Sequence, residues 1–288
     1  KPIISNILEA SINKIKNIKQ DNRNYTISVF SNKGACGKTS LATNLAYEIS
    51  KLTNKKTAIV DLSFNFDDVS TALDIEAKYD FEHALIEIER ADEKTILNIA
   101  NRYKNSNLYI FSFKDNLAIN KKISPSDIRK IIRSIKNIFK YTIIDTPSTI
   151  DETTVSILDN STLILLLAML NMSSIRNIQK CLELFRHIGF SKLKTKLIIN
   201  RFIENSEITI EDFEHTVNYE IFQKIPNNYL TLIDAINTGC LVSELNPNSN
   251  IAKSYISIAS SVVNSDIMNI ADTISNDTQS HGIFDLIK

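Results

Sequence analysis

The stretch YTISVFSNKGACGKTSLATNLAYEI, residues 25–49, decides how this chain folds. Its first six residues are mostly β-branched or aromatic, which is typical of a buried parallel strand. A loop with two glycines follows, and apolar residues then recur at helical spacing from Leu41 onward. The N–H groups of such a loop and the positive end of a helix both attract an anion. The stretch therefore predicts a strand, a phosphate-binding loop and a helix.

The loop also carries the side chains that phosphate chemistry needs. Gly34 and Gly37 let the backbone approach a phosphate without a side chain in the way. We expect Lys38 to reach the β- and γ-phosphates and the Thr39 hydroxyl to bind Mg²⁺. The alternative is a strand-to-helix turn in which Gly-Lys-Thr is incidental. We expect nucleotide contacts from the whole loop: Gly34, Ala35, Cys36, Gly37, Lys38, Thr39 and Ser40.

The loop departs from the strict P-loop pattern, which requires glycine where this chain has Asn32. From Lys33 to Thr39 it resembles instead the deviant Walker A motif of the MinD/ParA ATPases, with Ala35 in place of the second glycine. The resemblance implies a P-loop NTPase fold with ATP and Mg²⁺ as cofactors. It makes Lys33 the signature lysine, a catalytic residue that reaches the phosphates of a second subunit in an ATP-bound homodimer. Hydrolysis then releases the dimer, as in a switch.

A second apolar strand is predicted over residues 55–61 and ends in Asp61. Ligands bind at the carboxyl ends of parallel strands, so Asp61 is a candidate catalytic residue together with Lys33 and Lys38. In MinD/ParA proteins the matching segment reads Asp-x-Asp, and the second aspartate helps to position the attacking water. Here Ser63 stands at that second position, which leaves slow or absent hydrolysis open. The alternative for Asp61 is a helix or turn cap.

A further apolar strand, residues 141–145, ends in Asp145 and is followed at once by Thr146 and Pro147. This is the form of a Walker B strand and its switch loop. It lies about a hundred residues after the P-loop, with strands and helices alternating between the two. Asp145 is therefore predicted to hold Mg²⁺ together with Thr39, through a water molecule.

Candidate base-binding residues follow later in the chain. Asn200 and Arg201 end another apolar run and match the Asn-Arg pair of MinD/ParA proteins, in which the asparagine amide recognises adenine. Pro226 and Asn228 lie in a segment that resembles the family's Ile-Pro-x-Asp loop over the base, with Asn228 in place of the usual acid. The alternative for Asn200 is a polar strand terminus.

Composition narrows the functional classes. Lys+Arg and Asp+Glu are balanced at 33 each, so no global basic excess favours nucleic acid as a partner. The three cysteines lack CxxC spacing, which disfavours a metal site and indicates reduced thiols in a cytosol. No apolar run has the length of a membrane span. One modest basic cluster remains as a candidate for DNA: Lys192, Lys194, Lys196 and Arg201.

Predicted strands and helices alternate along the chain, which indicates an α/β fold with a doubly wound, mostly parallel sheet flanked by helices. Residues 108–113 are predicted as one strand, and Ser173 and Ser174 as the caps of a helix over residues 175–188. A short apolar end makes membrane association of the tail a weaker alternative. We expect three parts: residues 1–24, a helical connector or linker from a missing N-terminal receiver-like domain; residues 25–275, the ATPase domain; and residues 276–288, a polar tail with a short apolar end. The alternative for residues 1–24 is a helix packed on the edge of the ATPase domain.

Within the superfamily, several segments are similar to the TadZ/CpaE branch, whose members position Tad/Flp pilus machinery at a cell pole. These segments are Asp61–Val69, Ser173–Asn177, Ile225–Asn227 and Ala235–Gly239. The resemblance implies a slowly hydrolysing, dimerising ATP switch in the cytoplasm, at a cell pole or the inner membrane face. Its partners would be pilus-assembly or polar-localisation proteins. Three alternatives stay open: a MinD-like ATPase on the membrane, a ParA-like ATPase on DNA, and a nucleotide-binding scaffold without turnover.

Overall fold

The computed structural model describes residues 23–63, 68–89, 91–114 and 123–264. Eight strands of this part of the chain form one sheet, in the order β10-β9-β8-β1-β7-β2-β5-β4, and a separate pair joins β3 to β6. The strands are β1 (Tyr25–Phe30), β2 (Thr57–Asp61), β3 (Tyr79–Asp80), β4 (Asn101–Arg102), β5 (Leu108–Phe111), β6 (Phe113–Lys114), β7 (Tyr141–Asp145), β8 (Leu163–Met169), β9 (Thr195–Phe202) and β10 (Ile221–Pro226).

Helices connect these strands, as expected for parallel pairing. Their bounds are α1 (Lys38–Thr53), α2 (Asp68–Ala72), α3 (Phe81–Glu89), α4 (Glu93–Ile99), α5 (Pro125–Ile138), α6 (Glu152–Asp159), α7 (Met172–His187), α8 (Ile210–Val217), α9 (Tyr229–Asn237), α10 (Val242–Leu245) and α11 (Asn250–Asn264). A 3₁₀ turn, Lys192–Lys194, precedes β9.

The large sheet is parallel at every strand pair except the edge pair of β4 with β5. Its central strands β1, β7 and β2 are uniformly buried, because helices cover both faces of the sheet. In β2, for example, Ile59 packs into the core on one face, whereas Ala58 and Val60 pack into the core on the other. The predicted α/β fold with a doubly wound, mostly parallel sheet is confirmed.

The register of the central strands places the acidic residues at one edge. Val29 pairs with Asp145 across β1 and β7, and Asp61 pairs with Asp145 across β2 and β7. The loop from β1 to α1 leaves the sheet at this same edge. Residues that lie tens of positions apart in sequence therefore meet around one loop.

Some predicted boundaries were wrong. The predicted strand over residues 108–113 is interrupted at Ser112, and Phe113 pairs with Tyr79 of β3 instead of continuing the large sheet. The helix α7 begins at Met172, because the side chain of Asn171 accepts a hydrogen bond from Ser174 N (2.9 Å) and acts as the cap.

Two of the predicted parts lie wholly or largely outside the described residues. The described residues do not include residues 1–22 of the predicted connector, residues 265–275 of the predicted ATPase domain or any residue of the predicted tail. In the part of the chain that the structure describes, no helix combines the length and the apolar character needed to cross a membrane.

Candidate nucleotide-binding site

The loop from Ser31 to Gly37 connects β1 to α1, and two of its residues have left-handed backbone conformations. Gly37 has φ +90°, and α1 begins directly after it, with Leu41 N donating to Gly37 O (3.0 Å). Ala35 has φ +57°, a conformation in which an alanine is strained. At Gly34, by contrast, an added Cβ would meet no atom within 4 Å. The described contacts therefore require glycine at Gly37 and not at Gly34, and the close approach of a phosphate at Gly34 stays a prediction.

The P-loop and the predicted Walker B strand are in direct contact. Thr39 Oγ1 donates to Asp145 Oδ2 (2.5 Å), and Asp145 is fully buried. Next to this pair, Lys38 Nζ donates to Ser148 Oγ (2.6 Å). Sequence reasoning missed Ser148, although a polar residue just after the Thr-Pro break at a strand end was a usable signal. The structure thus brings both predicted metal ligands and the P-loop lysine together.

Asp61 uses both carboxylate oxygens within the protein. Its Oδ1 accepts hydrogen bonds from Ser63 N (2.9 Å) and Ser63 Oγ (2.7 Å), and its Oδ2 accepts one from Val69 N (3.1 Å). The residue is buried, and it ties the end of β2 to the first turn of α2. Among the described contacts Asp61 therefore acts as the turn and helix cap that was its alternative interpretation. Its catalytic role stays a prediction.

Asn200 and Arg201, the predicted base-binding pair, contact the phosphate-binding loop. Asn200 Nδ2 donates to Cys36 O (2.7 Å), and Arg201 Nη2 donates to Ala35 O (3.0 Å). The approach is close, because a Cβ added at Gly37 would lie 2.3 Å from Asn200 Nδ2. The end of β9 therefore supports the loop from the side, in addition to any role in reading a base.

The predicted base loop lies at the same edge but is used for capping. Asn228 caps α9 by accepting from Thr231 N (3.4 Å), and its Nδ2 donates to Asn250 Oδ1 at the start of α11 (2.8 Å). Asn227 N donates to Phe202 O (2.9 Å), which fixes the loop after Pro226 against the end of β9. The loop is thus positioned beside Asn200, and its contact with a base stays a prediction.

The remaining loop residues differ in exposure. Lys33 is partly exposed, and its backbone N–H donates to Ser31 Oγ (3.4 Å). Cys36 is only 1% exposed and belongs to the apolar core beneath the loop. A small packing residue accounts for that position. The role of Lys33 in a second subunit stays a prediction.

The predicted basic cluster does not form one patch. Lys192, Lys194 and Lys196 lie at or before the start of β9, whereas Arg201 lies near its other end. Lys196 and Arg201 lie five residues apart on the extended strand, a separation of roughly 16 Å. Lys194 is also engaged, since its Nζ donates to Asp159 O (2.8 Å). The four cations proposed for DNA binding are therefore divided between opposite edges of the sheet.

Comparisons with known proteins agree with this architecture. A family model described as an AAA domain matches residues 24–199. The septum site-determining protein MinD of Thermotoga maritima is 28% identical over 269 residues, which cover 91% of this chain and 95% of that protein.

Solved structures show the same fold. A ParA family ATPase from Chlorobium tepidum TLS has a TM-score of 0.76 at 21% identity, covering 83% of this chain and 98% of its own. The septum site-determining protein MinD from Pyrococcus horikoshii OT3, solved in complex with Mg-ADP, has a TM-score of 0.71 at 20% identity, covering 84% of this chain and 99% of its own.

Proposed function

The chain belongs to the AAA domain family of MinD/ParA ATPases, and on this premise we propose that it is an ATP-dependent switch that positions other proteins in the cell. In this proposal ATP and Mg²⁺ bind at the edge of the sheet where β1, β2 and β7 end. Binding joins two copies of the chain, and slow hydrolysis separates them. Whether the chain is a monomer or a dimer therefore depends on whether ATP is bound.

The observation that supports this proposal best is the contact between the P-loop and β7. Thr39 and Asp145 are 106 positions apart in sequence, yet their side-chain oxygens are 2.5 Å apart. Lys38 lies beside them, held by Ser148. A hydroxyl, a carboxylate and an ammonium at the N-terminus of a helix are the groups expected to surround a magnesium-bound triphosphate.

The residues present fit Mg²⁺. This cation prefers hard oxygen ligands and keeps several of its waters, so one hydroxyl and one buried carboxylate are a sufficient protein contribution. Thr39 and Asp145 would hold the ion. When bound, Mg²⁺ would neutralise charge on the phosphate oxygens.

The side chains of the loop then have separate roles in the proposal. When the nucleotide binds, the Lys38 ammonium leaves the Ser148 hydroxyl and donates to the phosphates instead. The backbone N–H groups at the start of α1 complete the anion site. Asp61 stabilises the segment that carries Ser63, because all three of its hydrogen bonds go to Ser63 and Val69. Since Ser63 carries no charge to orient a water, we propose slow turnover.

Dimerisation is proposed through Lys33. The polyphosphate of ATP carries more negative charge than Lys38 alone offsets, so a lysine from a second copy is a favourable addition. Lys33 is partly exposed in the single chain and is free of the core, as this role requires. Pairing that depends on the phosphate charge is then linked to nucleotide binding.

Two cargo types are proposed, each favoured by a different observation. The segments Asp61–Val69, Ser173–Asn177 and Ala235–Gly239 favour positioning of Tad/Flp pilus machinery at a cell pole. The similarity to Thermotoga maritima MinD, over 91% of this chain, favours equally a MinD-like role at the membrane face. A ParA-like role on DNA is less favoured, because the chain has no net charge and its candidate basic cluster is divided.

Light scattering with and without ATP-Mg²⁺ tests the switch. We expect a monomer without nucleotide, a dimer with it, and no dimer for Lys33→Ala or Lys38→Ala. Lys38→Ala removes nucleotide binding, whereas Lys33→Ala retains it, which separates the two roles. An oligomeric state that changes neither with nucleotide nor with these substitutions would refute the proposal. Co-sedimentation with vesicles or with purified pilus proteins then separates the two cargo types.

A further inference from the structure

We propose that Asn200 and Arg201 are positioning residues that hold the phosphate-binding loop in shape, whatever base the bound nucleotide carries. The inference rests on the proposed function and deepens it. It differs from the sequence-based expectation, in which the Asn200 amide serves to recognise adenine. The distinction matters because the two roles predict different losses when the side chain is removed.

Two successive residues at the end of β9 hold two successive carbonyls of the loop. Asn200 Nδ2 donates to Cys36 O (2.7 Å), and this bond is buried. Arg201 Nη2 donates to Ala35 O (3.0 Å) from an exposed guanidinium. These contacts join segments 164 and 166 positions apart in sequence, so they are features of the tertiary structure.

Because the peptide bond is planar, these two contacts also fix the direction in which the N–H groups of the loop point. In a trans peptide the C=O and the following N–H point in opposite directions. When the carbonyls of Ala35 and Cys36 face the end of β9, the N–H groups of Cys36 and Gly37 face away from it. Those N–H groups are the ones that a phosphate-binding loop presents to its ligand.

The loop conformation is strained and so needs such support. Ala35 (φ +57°) and Arg201 (φ +54°) are both non-glycine residues in the left-handed region. Strained residues of this kind persist when surrounding contacts fix them, and here the Arg201 side chain bonds directly to the Ala35 carbonyl. Gly37 permits the approach, because a Cβ there would lie 2.3 Å from Asn200 Nδ2.

The Asn200 amide keeps capacity for a base, so only a measurement separates the two roles. Its Oδ1 accepts from Arg201 N (2.9 Å), and its Nδ2 donates once to the loop. An amide has two N–H donors and two acceptor lone pairs, which leaves one of each for a ligand. A base contact and the loop contact are therefore compatible.

Calorimetry of the full chain with the Mg²⁺ forms of ATP, UTP and inorganic tripolyphosphate tests the inference. We expect Asn200→Ala to raise the Kd of all three by the same factor, about three- to tenfold, the loss of one hydrogen bond. Arg201→Ala should act in the same way but more weakly, and Arg201→Lys should recover part of the loss. Unchanged binding stoichiometry would show that the variants are folded.

Asn137→Ala and Arg186→Ala are the matched controls, since both side chains are exposed and lie on helices outside the nucleotide site. A loss confined to ATP would overturn the inference and assign Asn200 to the base. If the unaltered protein binds none of the three ligands, the proposed function is refuted, and this inference with it.

A second measurement decides the matter without a ligand. Hydrogen exchange of the free protein should show faster exchange in residues 33–38 for Asn200→Ala and Arg201→Ala than for the two controls. The exchange of β8, which neighbours β9 but does not contact the loop through these side chains, should be unchanged. Loop exchange that is the same in all four variants would overturn the inference.

Discussion

The side chains of Thr39 and Asp145 are joined by a hydrogen bond of 2.5 Å between Oγ1 and Oδ2. Thr39 belongs to the first turn of α1, and Asp145 is the last residue of β7. β1 pairs in parallel with β7, so the loop that follows β1 leaves the sheet where β7 ends. The pairing of these two strands is therefore what assembles the proposed magnesium site.

Thr39→Val should remove the Mg²⁺ dependence of ATP binding. The substitution keeps the shape of the side chain but removes the hydroxyl, and hydrogen bonds to charged groups contribute about 1.5 to 3 kcal/mol. We expect the affinity for ATP-Mg²⁺ to fall by about ten- to a hundredfold, while binding in EDTA is unchanged. Thr43→Val, one turn later in α1, is the control. Equal losses with and without Mg²⁺ would contradict the assignment of Thr39 to the metal.

Ser148→Ala should strengthen nucleotide binding slightly. Lys38 Nζ donates to Ser148 Oγ (2.6 Å) in the free protein, and that bond must break before Lys38 contacts phosphate. Removal of a competing hydrogen bond worth about 1 kcal/mol should lower the Kd for ATP-Mg²⁺ by about fivefold. Isothermal titration measures this directly. A weaker affinity would indicate instead that Ser148 itself contacts the nucleotide.

Ser63→Asp should raise the rate of ATP hydrolysis and lower stability. A carboxylate at this position restores the Asp-x-Asp pattern, and a positioned carboxylate raises rates by about a hundredfold or more. It also faces Asp61, since Ser63 Oγ and Asp61 Oδ1 are 2.7 Å apart, so repulsion between like charges should lower the melting temperature.

Phosphate release measures the rate for Ser63→Asp, with Ser63→Ala as the control that removes the hydroxyl and adds no charge. A rate for Ser63→Asp no higher than that of the unaltered protein would show that this position does not limit turnover.

Lys194 should destabilise the fold at neutral pH. Burial lowers the pKa of Lys194 from 10.5 to about 8, although its Nζ donates to Asp159 O and lies 4.6 Å from the Phe190 ring centre. Because the folded-state pKa is the lower one, the unfolded chain binds more protons between the two values, and stability rises with pH across that window.

Lys194→Met should therefore raise the free energy of unfolding by about 1 to 2 kcal/mol at pH 7, with the gain disappearing as the pH rises from about 8 to 10.5. Urea denaturation at several pH values measures it. A gain that is constant with pH would show that packing and not charge accounts for the effect.

The fold and the centre of the site could be predicted because both depend on local patterns. Apolar strands that end in Asp61 and Asp145 predict acids at the carboxyl edge of a parallel sheet, and the P-loop sequence predicts its own strand and helix. The contacts of Asn200 and Arg201 with loop carbonyls could not be predicted. They depend on left-handed conformations at Ala35 and Arg201, which non-glycine residues adopt only under tertiary constraint.

The position of a helix cap also differed from the prediction, because several neighbouring polar residues can cap the same helix. Asn171 caps α7 in place of Ser173 and Ser174, because any of these polar residues suits a helix N-terminus and packing selects among them. The prediction that Arg201 belongs to one basic cluster with three lysines was wrong for a different reason. Closeness in sequence does not imply closeness in space once Lys196 and Arg201 lie five residues apart on an extended strand.

The most direct test of the central claim is isothermal titration of the folded chain with ATP and Mg²⁺, beside Lys38→Ala. Our account predicts one nucleotide bound per chain, an affinity that depends on Mg²⁺, and loss of binding for Lys38→Ala at an unchanged melting temperature. Absence of binding heat and of competition by any purine nucleotide, in protein shown to be folded, would contradict it.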